Sequence, residues 1–324
     1  MLAVLAAAVP ALVACSKPAG SASARDVAWV TTGASVTLPG TGVTPVRLNR
    51  REVEAPVNVG SLPSALAFSP GGTGLLVVTQ GDDTLHEIDT ATHDLLHSVG
   101  VGVEPDAVAV APGGPGNKGI ALVANRDSNS VTPVDLGTWK AGPAVPVGAQ
   151  PVAIAVFVAP GGAATAFVAD YGSNAVTPID AATLQPGAPI PVGTGPQALA
   201  VASDEVLVGN FGDHTLTPID ATSLRPGQAV PLPFNPTGIA VTPNGATAYV
   251  CGGAAVATVS VPALTVGPAA ALPDVAEGIA LGTDGVAWVT QQGGTIVPTV
   301  PPFRAVGKPI RLGGHPSAIV IGAG

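Results

Sequence analysis

One short apolar phrase, usually opened by proline, returns seven times along this chain. It reads Pro63-Ser-Ala-Leu-Ala-Phe, Pro105-Asp-Ala-Val-Ala-Val, Pro151-Val-Ala-Ile-Ala-Val, Pro196-Gln-Ala-Leu-Ala-Val and Pro236-Thr-Gly-Ile-Ala-Val. Ala276-Glu-Gly-Ile-Ala-Leu and Pro316-Ser-Ala-Ile-Val-Ile complete the set. The anchors lie 42, 46, 45, 40, 40 and 40 residues apart. A fixed period of this size marks one supersecondary unit stacked against copies of itself, and it matches the length of a propeller blade.

Each unit repeats internally. A Gly-rich turn such as Pro70-Gly71-Gly72 follows the first strand, then a second strand such as Leu122-Val123-Ala124-Asn125. A third strand follows, as in Val131-Thr132-Pro133-Val134-Asp135, and then a fourth, as in Ala144 to Val147, Pro189 to Val192 and Val230 to Leu232. Proline removes a ladder donor, so the third and fourth strands belong toward the outer edge and the proline-free first strand toward the axis. The first strand alternates Ala with β-branched residues or Leu. Both of its faces are therefore apolar, as a strand covered on both sides requires. The chain ends one strand after Pro316. Val27 to Thr31, Ser35 to Leu38 and Pro45 to Leu48 supply the second, third and fourth strands that this last unit lacks. The expected fold is all-β: a seven-bladed β-propeller of four-stranded antiparallel blades, its last blade closed by N-terminal strands.

Composition agrees. Gly (42) and Pro (34) are spread along the chain, which breaks it into short elements. With 12 Lys and Arg and a net charge of −9, the chain offers no wide basic face, which argues against a nucleic-acid partner. Arg47, Arg50 and Arg51 are followed directly by Glu52 and Glu54 and read as a solvated mixed-charge loop.

Residues 1–14 are apolar, long enough for a signal h-region and too short to span a bilayer. Leu12-Val13-Ala14-Cys15 resembles the bacterial lipobox, although no Lys or Arg precedes the apolar run. The resemblance implies that Cys15 is lipidated and that residues 15–25 are a flexible tether to a single domain, 26–324. The expected address is the outer face of the cytoplasmic membrane. The other cysteine, Cys251, reads as a small buried hydrophobe.

The unit seen best at 121–135, 166–180 and 206–220, with its Val-Ala-Asn and Ser-Asn-Ser-Val-Thr-Pro-Val-Asp, resembles the YVTN-type propeller repeat. Residues Glu277 to Thr290 are also similar to the repeat of streptogramin-lyase-like propellers. These resemblances imply a fold and leave the function open.

Features common to every unit serve folding. Asp89, Asp135, Asp180 and Asp220 close the third strands and read as turn formers. The unit-specific residues gather at one mouth of the channel. They are Glu104 and Asp106 beside Pro105, Gln150, Gln197, Asn235, Glu277, His315, and, after the second strands, Asn125, Asp170 and Asn210. Such a ring suits a hydroxylated ligand or a divalent cation, and the residue types require no cofactor. The plainer reading is that polar residues at a water-filled mouth are simply solvated, since spacing alone fixes no ligand geometry. His93 and His97 stand four apart, but in a turn and an outer strand, and without the glutamate of a zinc-protease helix. Nucleophile-elbow, phosphate-loop and Cys-x-x-Cys motifs are absent, and no Trp recurs in register as a quinone cofactor site would want.

Two readings follow. One is a monomeric binding or scaffold lipoprotein for an envelope protein, peptide or glycan. The other is a metal-dependent hydrolase or lyase of the lactonase-like propeller kind. It needs Glu104, Asp106, Asp170, Glu277 and His315, or a subset, to converge.

Overall fold

The computed structural model describes residues 26–35, 38–113, 118–261, 263–300 and 305–323. The signal segment, Cys15 and the tether lie outside them. Among the described residues there are strands and turns and no helix. Seven antiparallel sheets are arranged as the blades of a propeller. Blades are numbered here by their inner strands: Pro63–Phe68, Pro105–Ala111, Pro151–Val158, Pro196–Ala202, Gly238–Val241, Ala276–Leu281 and Pro316–Ala323.

The seventh blade is built from both ends of the chain. Its inner strand pairs with Asp26–Ser35, matching Trp29 to Val320 and Thr32 to Pro316. Asp26–Ser35 pairs in turn with Leu38–Arg47. Each inner strand packs on the inner strands of its two neighbours, and that of blade 7 packs on those of blades 6 and 1, so the ring is closed. The boundaries in blade 7 correct the sequence reading. The stretch Pro45 to Leu48 was expected as a fourth strand, but Pro45, Val46 and Arg47 end the third. The fourth consists of Glu52–Val53 and Val57–Asn58.

In six blades the fourth strand is split into two dipeptides that both pair with the third strand. In blade 2 these are Lys140–Ala141 and Val145–Pro146, against Ser130–Asp135. In four of these blades Pro133, Pro178, Pro218 and Pro298 have no N–H to offer at mid-strand. The outer chain turns away there, and the amides of Gly142, Gly187, Gly227 and Gly307 donate to those prolines' carbonyls at 2.7–2.8 Å. Blade 5 splits in the same way around Thr258, whose carbonyl accepts the Gly267 amide at 2.8 Å, so the turn of the outer chain does not depend on proline alone. A Cβ on Gly307 would stand 2.6 Å from the Pro298 ring, so that position favours glycine, whereas blade 7 places Glu54 opposite Pro45 with its amide on the Pro45 carbonyl at 3.0 Å. Blade 1 has Glu87 in place of this proline, and its fourth strand, Leu95–Gly100, is a single strand with a β-bulge at Leu96.

The core lies between blades. Leu66, Leu75 and Val77 of blade 1 pack with Trp29 and Val320 of blade 7. The opposite face of blade 1, through Leu76, Val78 and Leu85, packs on Val108 and Val123 of blade 2. Both faces of a blade are thus buried, which is why both faces of the strands are apolar. Cys251 belongs to this packing: it is fully buried between blades 5 and 6, and burial pushes its thiol up to about 12.

Candidate functional site

The mouth of the channel is made by two sets of loops, those leading into the inner strands and those joining second to third strands. Both are held by clamps that recur from blade to blade. Asp83, Asn129 and Asn174 adopt the left-handed conformation, with φ of 50, 50 and 53°. Asn and Asp tolerate it better than other side-chain-bearing residues. From there their Oδ1 atoms accept the amides of Glu104, Gln150 and Gly195 in the next blade, at 2.8–2.9 Å. The third-strand aspartates behave as turn formers: Asp89 Oδ1 accepts the amides of Ala91 and Thr92 at 2.8 Å each, and its pKa is lowered by these bonds.

Asn125, Asp170 and Asn210 end the second strands and are fully buried. Asn125 Oδ1 accepts the amide of Gly102, and its Nδ2 donates to Thr132 Oγ1 at 2.9 Å. Asn210 Nδ2 donates to Thr217 Oγ1 at 2.8 Å. In blade 3, Thr177 Oγ1 donates to Asp170 Oδ2 at 2.5 Å, and the Gly148 amide also bonds the carboxylate. A Cβ on Gly102, Gly148 or Gly193 would fall 2.6–2.7 Å from these side chains. Glycine there lets the incoming connection lie directly on the clamp. All three side chains hold the blade from inside it. Burial pushes Asp170 up to about 6.

Asp106, Gln197 and Glu277 occupy the second position of their inner strands, where a β-bulge skips one residue of the pairing register. A bulge re-aims its side chain and ends regular pairing, and bulges are over-represented beside functional sites. The same position in blades 1 and 5 is used for stapling. Ser64 Oγ donates to Pro105 O at 2.7 Å, and Thr237 Oγ1 to Ala276 O at 3.0 Å, each bond tying one blade to the next.

Asp106 is held at the mouth between two blades. Gln80 Nε2 of blade 1 donates to its Oδ1, and Arg126 Nη1 lies 3.7 Å from its Oδ2. Burial pushes the carboxyl up to about 7, against the opposing pull of Arg126 and Gln80. Glu277 accepts Gln292 Nε2 and is also raised to about 7 by burial. His315 is half-buried with its Nδ1 unpartnered, and burial lowers its pKa against the opposite pull of Asp274. Glu104 is exposed, with its amide tied to Asp83.

These groups are spread around the ring. Asp106 sits in blade 2, Asp170 in blade 3, Glu277 in blade 6, and His315 just before blade 7. Among the described residues no three His, Cys, Asp or Glu side chains come together as a metal site. His93 and His97 stay apart in function: His93 sits edge-on to Trp29, and His97 stacks on Trp139 at 4.6 Å.

The register also shows mouth residues that the sequence reading passed over. The residue directly after each second strand is Gln80, Arg126, Tyr171, Phe211, Gly253 and Gln292 in blades 1 to 6. Each is half-buried. Arg126 is the one Lys or Arg among the described residues of the mouth loops. The sequence signal is only partial: each follows the terminal residue of its second strand and varies among the units, but the direction of its side chain is not written there.

No family model matches the chain, and no curated protein matches it. Solved structures do. A functionally unknown protein from Desulfotomaculum acetoxidans aligns over 92% of this chain and 99% of its own, at 14% identity and a TM-score of 0.78. A candidate 6-phosphogluconolactonase from Bacteroides uniformis covers 93% and 100%, at 15% identity and TM-score 0.72. The hydrazine synthase of Kuenenia stuttgartiensis covers 80% and 89%, at 20% identity and TM-score 0.68. The likeness is one of fold. The roles of these neighbours differ, so the site must be argued from its own residues.

Proposed function

We propose that this chain is an exported YVTN-type repeat lipoprotein, anchored through Cys15 at the outer face of the cytoplasmic membrane, whose channel mouth binds an envelope protein, peptide or glycan. One observation carries the reading. On a scaffold whose clamps repeat from blade to blade, the position after the second strand varies: Gln80, Arg126, Tyr171, Phe211, Gly253, Gln292. A rigid frame whose half-exposed position after the second strand varies among Gln, Arg, Tyr, Phe and Gly is the arrangement of a recognition surface. Two aromatic rings on adjacent blades, Tyr171 and Phe211, supply stacking area. Arg126, Gln80 and Gln292 supply directed hydrogen bonds, with Asp106 and Glu277 behind them.

The topology is compatible with the anchor. Asp26, where the tether joins the domain, pairs with Ala323 at the end of the strand remote from Pro316 and the mouth. A lipid on Cys15 would tether the domain from the end opposite the mouth. The metal-dependent hydrolase reading lacks an assembled ligand set among the described residues.

The test is binding of the purified protein to glycan and peptide arrays, alongside Arg126→Ala/Tyr171→Ala/Phe211→Ala. Array ligands that lose at least tenfold in affinity to the triple variant support the mouth as the binding surface. Ligands held equally well by both proteins place recognition elsewhere and refute the proposal.

A further inference from the structure

Six of the seven blades split their outer edges, and one does not. The fourth strands of blades 2 to 7 are split dipeptides, and each carries proline in or beside the break: Pro143, Pro186, Pro226, Pro268, Pro309 and Pro56. These devices prevent an edge from pairing with another chain. Blade 1 has none of them. Leu95–Gly100 is six residues long, contains no proline, lysine or arginine, and pairs with Thr84 to Ile88, interrupted only by a β-bulge at Leu96. Its outer side has no described strand partner. Leu95 and Leu96 are 49% and 48% exposed.

The edge is also held in place. His97 stacks on Trp139 of blade 2, and His86 Nδ1 lies 2.8 Å from Ser98 Oγ. A strand fixed in this way is already ordered before a partner arrives, which lowers the ordering cost of pairing. Its charge is one-sided. Between Gly81 and Glu104 the chain has six carboxylates, Asp82, Asp83, Glu87, Asp89, Asp94 and Glu104, and no Lys or Arg. Asp89 and Asp94 flank the Leu95 end, and Asp83 and Glu104 the Gly100 end. Blade 2 brings Lys140 alongside as an opposing charge, and Arg47 of blade 7 is paired with Glu54 near His93.

We propose that Leu95–Gly100 is a strand-addition site for an extended segment of a partner protein, apolar at its centre and carrying Lys or Arg at both ends. Backbone hydrogen bonds supply the pairing, Leu95 and Leu96 cover the apolar residues, and the acidic ends select the basic flanks. A second copy of this chain is a poor occupant. Antiparallel pairing about a two-fold axis would set acidic ends against acidic ends, and like charges placed opposite one another destabilise a sheet. The Leu95 end of this site is remote from the mouth, while Asp83 and Glu104 at its Gly100 end also belong to the mouth loops.

The experiment uses a synthetic nine-residue peptide of alternating valine and threonine with two lysines at each end, followed by fluorescence anisotropy and amide hydrogen exchange. The expected result is saturable binding, slowed exchange in 95–100, and at least tenfold weaker binding when the four lysines are replaced by glutamates. Leu95→Lys/Leu96→Lys should weaken binding at least tenfold, while array binding at the mouth and thermal melting stay unchanged. No saturable binding, equal binding of the glutamate peptide, or slowed exchange at other blades in place of 95–100 would overturn the proposal. So would a concentration-dependent dimer, seen by sedimentation, that the double variant abolishes.

Discussion

The hydroxyl of Thr177 donates to Oδ2 of Asp170 at 2.5 Å, at the point where sister blades have a Thr hydroxyl accepting from an asparagine amide. Blade 3 thus keeps the clamp but buries a carboxyl in it, and burial raises its pKa from 3.8 to about 6. The folded state therefore holds this proton more tightly than the unfolded state. The stability due to this group is greatest below about pH 4 and is lost as pH rises toward 6. Asp106 and Glu277, both raised to about 7, extend the decline toward neutrality. Asp170→Asn should restore the clamp of the sister blades and raise stability at pH 7.5 by about 1–2 kcal/mol, with little effect at pH 4. Urea titrations of both proteins at the two pH values check this. A destabilised variant at pH 7.5 would refute it.

Asn174 combines a left-handed backbone with a bond to the next blade, its Oδ1 accepting the Gly195 amide at 2.8 Å. Asn174→Ala loses the bond and strains the backbone, a combined cost of about 2–3 kcal/mol. Asn174→Gly loses only the bond and should cost about 1 kcal/mol less. The order Asn, Gly, Ala in denaturant midpoint is the expected result. Equal loss in both variants would mean that the conformation carries no strain.

Ring closure rests on the pairing of Pro316–Ala323 with Asp26–Ser35. A chain ended after His315 would expose the edge of Asp26–Ser35 and the apolar faces of blades 1 and 6. It should lose its cooperative thermal transition and aggregate. A sharp melt close to that of the full chain would show that the ring does not depend on this strand.

Cys251 has no exposed surface, and its thiol is pushed up to about 12 by burial. At pH 8 the native protein should resist iodoacetamide for hours and react within minutes once unfolded, by mass spectrometry. Rapid labelling of the native protein would show that blades 5 and 6 separate readily at this site.

Period and ring closure were legible in the sequence because every unit repeats one phrase and the two termini hold complementary fragments. The outer strands were only half legible. Val145–Pro146 stood out as a strand, but Lys140–Ala141 did not, because a dipeptide carries no alternation to read. At the break the Gly142 amide bonds Pro133 O, as the Gly267 amide bonds Thr258 O in blade 5. At the mouth, Asn125, Asp170 and Asn210 drew notice as polar residues at strand ends, yet their side chains turn into the blade. The mouth positions one step further on, Arg126, Tyr171 and Phe211, stayed hidden. Which side of a strand end faces inward depends on the bulge and on a Gly clamp from a distant connection, and neither is written in local pattern.

The most direct test of the mouth as the binding surface is photo-crosslinking from single positions in a bacterial envelope that carries the anchored protein. Benzoylphenylalanine would replace Tyr171 or Phe211 at the mouth, and Ala182 or Thr222 in the turns at the opposite end of the blades. The expected result is a discrete adduct from Tyr171 and Phe211 and none from the opposite end. Adducts from Ala182 or Thr222 alone, or none from either mouth position, would contradict it.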